Sequence, residues 1–223
     1  MSRPLRVADL GRLPYPEAWE IQKELVNLRA DDLIEDHLLL LEHEPVITLG
    51  RKADPAEHVC EAGKGVPTFE IERGGEATYH APGQLVGYFI LKLDGPERDL
   101  HRLLRNIEEI QIRALSRWGI EAGRNPGKTG VWVGDRKISS IGVAVRRWVS
   151  YHGLGLNVST DLSGFRAIRP CGMEAGVMTS MEDLLGKPVA MDEVKAAIAA
   201  EAAAVLGRTA LAADPELFDR RAK

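Results

Sequence analysis

Cysteine is scarce. The 223 residues hold Cys60 and Cys171 and no others, far apart and without CxxC spacing. That excludes a disulfide framework and a zinc knuckle, and leaves two lone thiols to be weighed singly. Long apolar runs are also missing: none approaches the roughly 18 residues of a membrane span. The opening MSRPLRVADLGRLPYPEAW lacks the charged segment and apolar segment of a secretory signal, so a soluble, cytosolic protein that uses no membrane is expected. A basic excess is absent as well; the formal net charge is -4, which argues against nucleic acid as a partner. The six histidines show no HxxxH or HExxH spacing and imply no metal. No GxGxxG or GxxxxGK[ST] run offers a phosphate cradle.

What is present suits one domain over residues 1–223, with 44% of residues hydrophobic and no repeat or low-complexity tract. Pro16 opens an amphipathic helix over Tyr15 to Arg29. The runs HLLLLEH (37–43) and VITLG (46–50) read as strands divided by Pro45, and Arg51 to Val66 as loop. Within FEIERGGEATYHAPGQLVGYFILKL, from Phe69, two strands around a Gly-Gly turn are expected. Leu100, Leu103, Leu104, Ile107, Ile110, Ala114, Leu115 and Trp118 keep the three-and-four spacing of a helix. VWV, KISSIGVAVRR and WVSYHGLGLNV give an antiparallel meander, split at Gly134-Asp135 and Arg146-Arg147. A last helix spans about 191–207, from near Asp192 to Gly207. The class is α+β, a mixed, mostly antiparallel sheet packed with helices.

Cys171 stands in IRPCGM, where Pro170 fixes the approach and Gly172 leaves a path open. On those neighbours alone it reads either as a displayed nucleophile or as a small buried hydrophobe. Lys137, in GDRKISSIG, begins an apolar strand; its stem drawn inward could meet a thiol, or the lysine could be a solvated hairpin residue. His80 and His152 each follow a tyrosine near a turn, His58 and His101 read as surface residues, and Cys60 as structural.

Taken in order, RGGEATYHAPGQLVGY, GVWVGDRKISSIGV, SYHGLGLNV and DLSGFRAIRPCGM resemble the lipoyl(octanoyl) transferase family, the octanoyl-carrier-protein:protein N-octanoyltransferases. The likeness covers roughly Tyr15 to Leu185. It implies a fold like the catalytic domain of biotin and lipoate protein ligases, a class II synthetase-like sheet, and needs no cofactor. It also implies transfer of a medium-chain acyl group from acyl carrier protein to a lysine of lipoyl domains, in the E2 subunits of 2-oxoacid dehydrogenases and the glycine cleavage H protein. Under it, Cys171 matches the acyl-accepting cysteine and Lys137 its partner. Arg73, Gly74, Gly75, Glu76, Ala77, Thr78, Tyr79 and His80, then Ser140, Ile141 and Gly142, then Gly153, Leu154 and Gly155, match segments along the acyl chain. His43 and His152 look like pocket neighbours. Two positions depart from the family's HGPGQ and HGxALNV: Ala81 stands for glycine, and Gly155 for alanine, which would widen the tunnel and bear on chain length. The acidic carrier makes Arg102, Arg105, Arg146 and Arg147 candidate docking residues. The competing readings are an ATP-dependent lipoate or biotin ligase on the same fold, a thioesterase, and a non-catalytic lipoyl-domain or carrier-binding module.

Overall fold

Pro14 turns the chain from a first strand into a first helix in the computed structural model, which describes residues 2–169 and 175–218. The strand is β1 (Arg3–Leu13) and the helix α1 (Tyr15–Ala30), whose second proline, Pro16, occupies its first turn where no backbone N–H is needed. There follow β2 (Asp36–His43), β3 (Val46–Leu49), a single helical turn α2 (Pro55–His58), β4 (Thr68–Glu70), β5 (Ala77–His80) and β6 (Gln84–Ile90). Helix α3 (Leu100–Ser116) starts where the Asp99 carboxylate accepts the Arg102 N–H at 3.0 Å. Strands β7 (Gly123–Asn125), β8 (Lys128–Val133), β9 (Arg136–Arg146) and β10 (Val149–Asn157) come next, then α4 (Met181–Leu185), α5 (Met191–Leu206) and β11 (Arg208–Ala212).

Among the described residues, the main sheet runs β11-β1-β2-β6-β10-β9-β8-β7. β1 is parallel to both β11 and β2, and the other pairs are antiparallel. This is the mixed, mostly antiparallel sheet that the sequence suggests. The run of four leucines in β2 follows from burial on both faces. Leu38 and Leu40 pack with Leu103 and Ile107 of α3 and Ile198 of α5, while Leu39 and Leu41 pack with Ile21, Leu25 and Val26 of α1.

A second sheet, β4-β3-β5, corrects the expected hairpin around Gly74-Gly75. β4 and β5 do not pair with each other; they flank β3, one parallel and one antiparallel. Period-two alternation then sends Ile47, Leu49, Ala77 and Tyr79 into a core with Phe165 and Ile168. Thr48, Thr78 and His80 are left for the opposite face.

The parallel edge is held by charge. The Asp36 carboxylate, 2% exposed, accepts from Arg29 Nε at 2.8 Å, Arg208 Nε at 2.7 Å and the Lys92 N–H at 3.0 Å. A buried carboxylate so surrounded is compensated, and removal of any partner would leave it costly. No helix among the described residues is long and apolar enough to cross a membrane.

Candidate functional site

The two sheets enclose a cavity of about 590 Å³. Its floor is β9 and β10, at Ser140 to Val143 and His152 to Gly155, and its roof is Thr48, Arg73 to Thr78, and His80. The segments singled out in the sequence therefore converge, except for two residues. Tyr79 points the other way, its ring 5.6 Å from that of Phe165, because it alternates with Thr78 and His80 along β5. His43 stands behind the wall, its ring 5.8 Å from that of His80.

Close approach of backbone to backbone explains one of the glycines. A Cβ on Gly153 would fall 2.1 Å from the Gly87 carbonyl oxygen, so strand pairing itself admits no side chain there. At Gly155 a Cβ would fall 2.9 Å from Gln84 Oε1 and 3.5 Å from His80 Cε1. The missing methyl thus bears on the Gln84 and His80 wall.

Lys137 lies at the start of β9 and is only 3% exposed, which overturns the solvated-hairpin alternative. Its carbonyl accepts the Thr179 N–H at 3.0 Å, its backbone bridges Met178, and its ammonium lies 5.7 Å from the Trp132 ring centre, within cation-π range. Lys137 lines the cavity. Cys171 lies outside the described residues. The chain on either side of that stretch is tied down: Ile168 bridges Val59, Arg169 donates its N–H to the His58 carbonyl, and Met178 runs beside Lys137.

A chain of side-chain amides sets the protonation of the roof. The Tyr79 and Thr179 carbonyls can only accept. Asn157 Nδ2 therefore donates to Thr179 at 3.0 Å, leaving Oδ1 to accept from Gln84 Nε2 at 2.9 Å, which also donates to Tyr79 at 3.2 Å. Gln84 Oε1 must then accept from His80 Nδ1 at 2.6 Å. His80 is a neutral imidazole with the proton on Nδ1 and a lone pair on Nε2. Burial, seconded by neighbouring His43, pushes its pKa down to about 3. His43 obeys the same logic: Nδ1 donates to the Leu13 carbonyl at 2.8 Å, so Nε2 accepts the Tyr88 hydroxyl proton at 2.7 Å. Burial lowers its pKa to about 4.

His152 holds a backbone φ of 60°, a left-handed conformation rare for a side chain with Cβ. Its N–H is donated to Gln22 Oε1 at 2.8 Å. Burial holds its imidazole neutral, with Nε2 3.7 Å from Glu72 Oε2, beyond hydrogen-bond reach. The Arg73 guanidinium is pinned in the roof, Nη2 donating to the Thr48 carbonyl at 2.7 Å and to its hydroxyl at 3.0 Å.

The structure corrects several surface assignments. His58 is buried, its Nε2 3.0 Å from Glu76 Oε2, because α2 folds against the loop before β5. His101 is exposed, on the cavity's outer rim. Arg105 pairs with Glu108 at 2.6 Å and Arg147 with Asp31 at 2.5 Å, while Arg102 and Arg146 are exposed. Sequence reasoning did not pick out Tyr15, Thr48 and Tyr88, which also line the cavity. Only the pairing of α1 and β3 with distant strands brings them there. No group of three or more His, Cys, Asp or Glu among the described residues could hold a metal ion.

Residues 14–203 match the lipoyl protein ligase A/B catalytic domain. An octanoyltransferase of Syntrophotalea carbinolica is 46% identical over 194 residues, 87% of this chain and 90% of that protein. One of Rubrobacter xylanophilus is 48% identical over 203 residues, 88% of this chain and 91% of that one. A solved lipoate-protein ligase A bound with ATP has the same fold, with a TM-score of 0.71 and 19% identity over 99% of this chain and 95% of its own.

Proposed function

The chain belongs to the lipoyl protein ligase A/B catalytic domain family and is an octanoyltransferase of protein lipoylation, and on that footing we propose that it works through a Cys171 acyl-thioester. The donor is octanoyl acyl carrier protein, and the acceptor is the ε-amine of a lysine on a lipoyl domain, in E2 subunits or the glycine cleavage H protein. Residues 1–223 act as one catalytic domain, with no cofactor.

The observation that carries this reading is the burial of Lys137, which lines the cavity that the glycine-rich segments share. A thiol near pKa 8.5 is only a few per cent thiolate at neutral pH. An ammonium at about 4 Å and an effective dielectric of about 20 stabilises the thiolate by roughly 4 kcal/mol before desolvation is subtracted. The Cys171 thiolate attacks the carrier thioester, its carbon–sulfur bond to the carrier breaks, and the carrier leaves as a thiolate that takes up the proton given off by the Lys137 ammonium.

Acylation removes the anion beside Lys137, so the pKa of the ammonium falls and its proton is released. The neutral amine then takes a proton from the incoming lysine as that nitrogen attacks the acyl carbon. Cys171 leaves as thiolate, and the product is an amide. The sequence is ping-pong. The seven acyl carbons beyond the carbonyl are worth roughly 5 kcal/mol at about 0.8 kcal/mol each when buried. Lys52 and Lys128, both exposed at the mouth, suit an acidic carrier better than Arg105 and Arg147, which already face carboxylates.

Incubation with octanoyl carrier and a lipoyl domain, without ATP, tests the reading by mass spectrometry. One octanoyl amide on the acceptor lysine is expected. Transfer that requires ATP and free octanoate would instead assign the chain to the ligases.

A further inference from the structure

We propose that Gly130 is a positioning residue for Lys137: the side chain it lacks opens the lane in which the lysine stem lies, and the Glu108 carboxylate holds that stretch of backbone in place. The proposal rests on the pairing of Lys137 with Cys171 in the proposed function, and names what keeps the ammonium in position for it.

In the β8–β9 ladder Val131 faces Ser139 and Trp132 faces Lys137, so β9 carries one residue more than β8 there. A bulge of this kind re-aims the side chains beside it. Lys137 lies against β8, its ammonium 5.7 Å from the Trp132 ring centre. Two residues earlier in β8 stands Gly130, which is buried. A Cβ on it would fall 2.7 Å from Lys137 Cε and 3.5 Å from Lys137 Nζ. Trp132 thus borders the lysine with a ring, and Gly130 borders it with open space. The Gly130 backbone also holds a φ of +121°, which residues with a side chain rarely adopt.

Helix α3 anchors this glycine. Glu108, 1% exposed, accepts the Gly130 N–H on Oε1 at 3.3 Å. Its Oε2 accepts from Arg105 Nη1 at 2.6 Å and from Arg124 Nε at 3.0 Å, which fixes the carboxylate. Both guanidinium groups reach solvent, so Glu108→Gln strands no buried cation. An amide has one oxygen for these three donors. The two cationic donors claim it, the amide NH2 then turns to the Gly130 N–H, and the glycine loses its acceptor. Gly130→Ala acts directly. Its methyl meets the Lys137 stem, which yields by moving, and the Ser139 carbonyl oxygen at 2.5 Å, which yields less. Either change displaces the ammonium, and its attraction for a thiolate weakens with distance.

The test follows alkylation of Cys171 by iodoacetamide against pH, read peptide by peptide so that Cys60 serves as an internal reference. Wild type is compared with Gly130→Ala, Glu108→Gln, Lys137→Ala and the two double variants that carry Lys137→Ala. Lys137→Ala should raise the apparent pKa of Cys171 by about one unit or more. Gly130→Ala should raise it by at least half that shift and Glu108→Gln by less. Neither should raise it further once Lys137 is alanine, and Cys60 should not move. Loss of the Glu108 charge alone works in the opposite sense, so an upward shift reads position rather than charge. A wild-type Cys171 profile in Gly130→Ala would overturn the proposal, as would a shift shared by Cys60 or one that persists in full without Lys137. If Gly130→Ala does not fold, Glu108→Gln decides: an unchanged or lowered pKa of Cys171 overturns the proposal. An unchanged profile in Lys137→Ala would instead overturn the pairing of Lys137 with Cys171 on which it rests.

Discussion

His80 Nδ1 stands 2.6 Å from Gln84 Oε1, and this contact decides which ring nitrogen carries the proton. The proton is fixed on Nδ1 by an orientation that begins at two backbone carbonyls and passes through Asn157 and Gln84. The 15N shifts of His80 should show the Nδ1–H tautomer in the wild-type protein. Gln84→Leu removes the acceptor and should give a mixture of tautomers, with a stability loss of about 1–3 kcal/mol for the unsatisfied groups. An unchanged tautomer in Gln84→Leu would contradict the relay.

Burial of His43 and His80 makes stability depend on pH in a defined window. Their folded pKa values, about 4 and about 3, lie below the ordinary 6.5, so the unfolded chain binds more protons. Stability is then full above pH 6.5 and is lost as pH falls toward the folded values, by about 1.4 kcal/mol per pH unit for each histidine. His37 and His152 are shifted in the same direction. Urea denaturation at pH 7.5 and pH 5 should show uptake of at least two protons on unfolding. A flat profile between those values would contradict the neutral state of these imidazoles.

Two glycines two residues apart in β10 should respond differently to a methyl group. Gly153→Ala drives Cβ into the Gly87 carbonyl and should destabilise the fold by about 3 kcal/mol or more. Gly155→Ala meets the Gln84 amide at 2.9 Å, a contact that a small side-chain shift relieves, and should cost about 1 kcal/mol. Thermal denaturation of the pair checks the ordering; equal losses would contradict the register.

Helix α3 and the β8–β10 meander were legible because their apolar spacing and turn residues agree with their tertiary partners. The burial of β2 on both faces was equally plain in its four leucines. β1, RPLRVADLGRL, was not legible. It carries proline, glycine and several charges, and becomes a half-exposed strand through parallel pairing with β2 on one side and β11 on the other. The Gly74-Gly75 pair suggested a hairpin because local text cannot show that β3, nearly twenty residues earlier, inserts between β4 and β5. The site was readable as segments rather than as a chamber. Glycines and His80 announced themselves within motifs, whereas Tyr15, Thr48 and Tyr88 reach the cavity by long-range pairing.

The most direct measurement is intact mass of the protein after exposure to octanoyl carrier, with the adduct mapped by digestion, in wild type, Cys171→Ala and Lys137→Ala. The account predicts one octanoyl group on Cys171 that disappears when a lipoyl domain is added, no adduct in Cys171→Ala, and an adduct formed at least about tenfold more slowly in Lys137→Ala, from loss of the cation that favours thiolate. Transfer to the lipoyl domain by Cys171→Ala at the wild-type rate would contradict it.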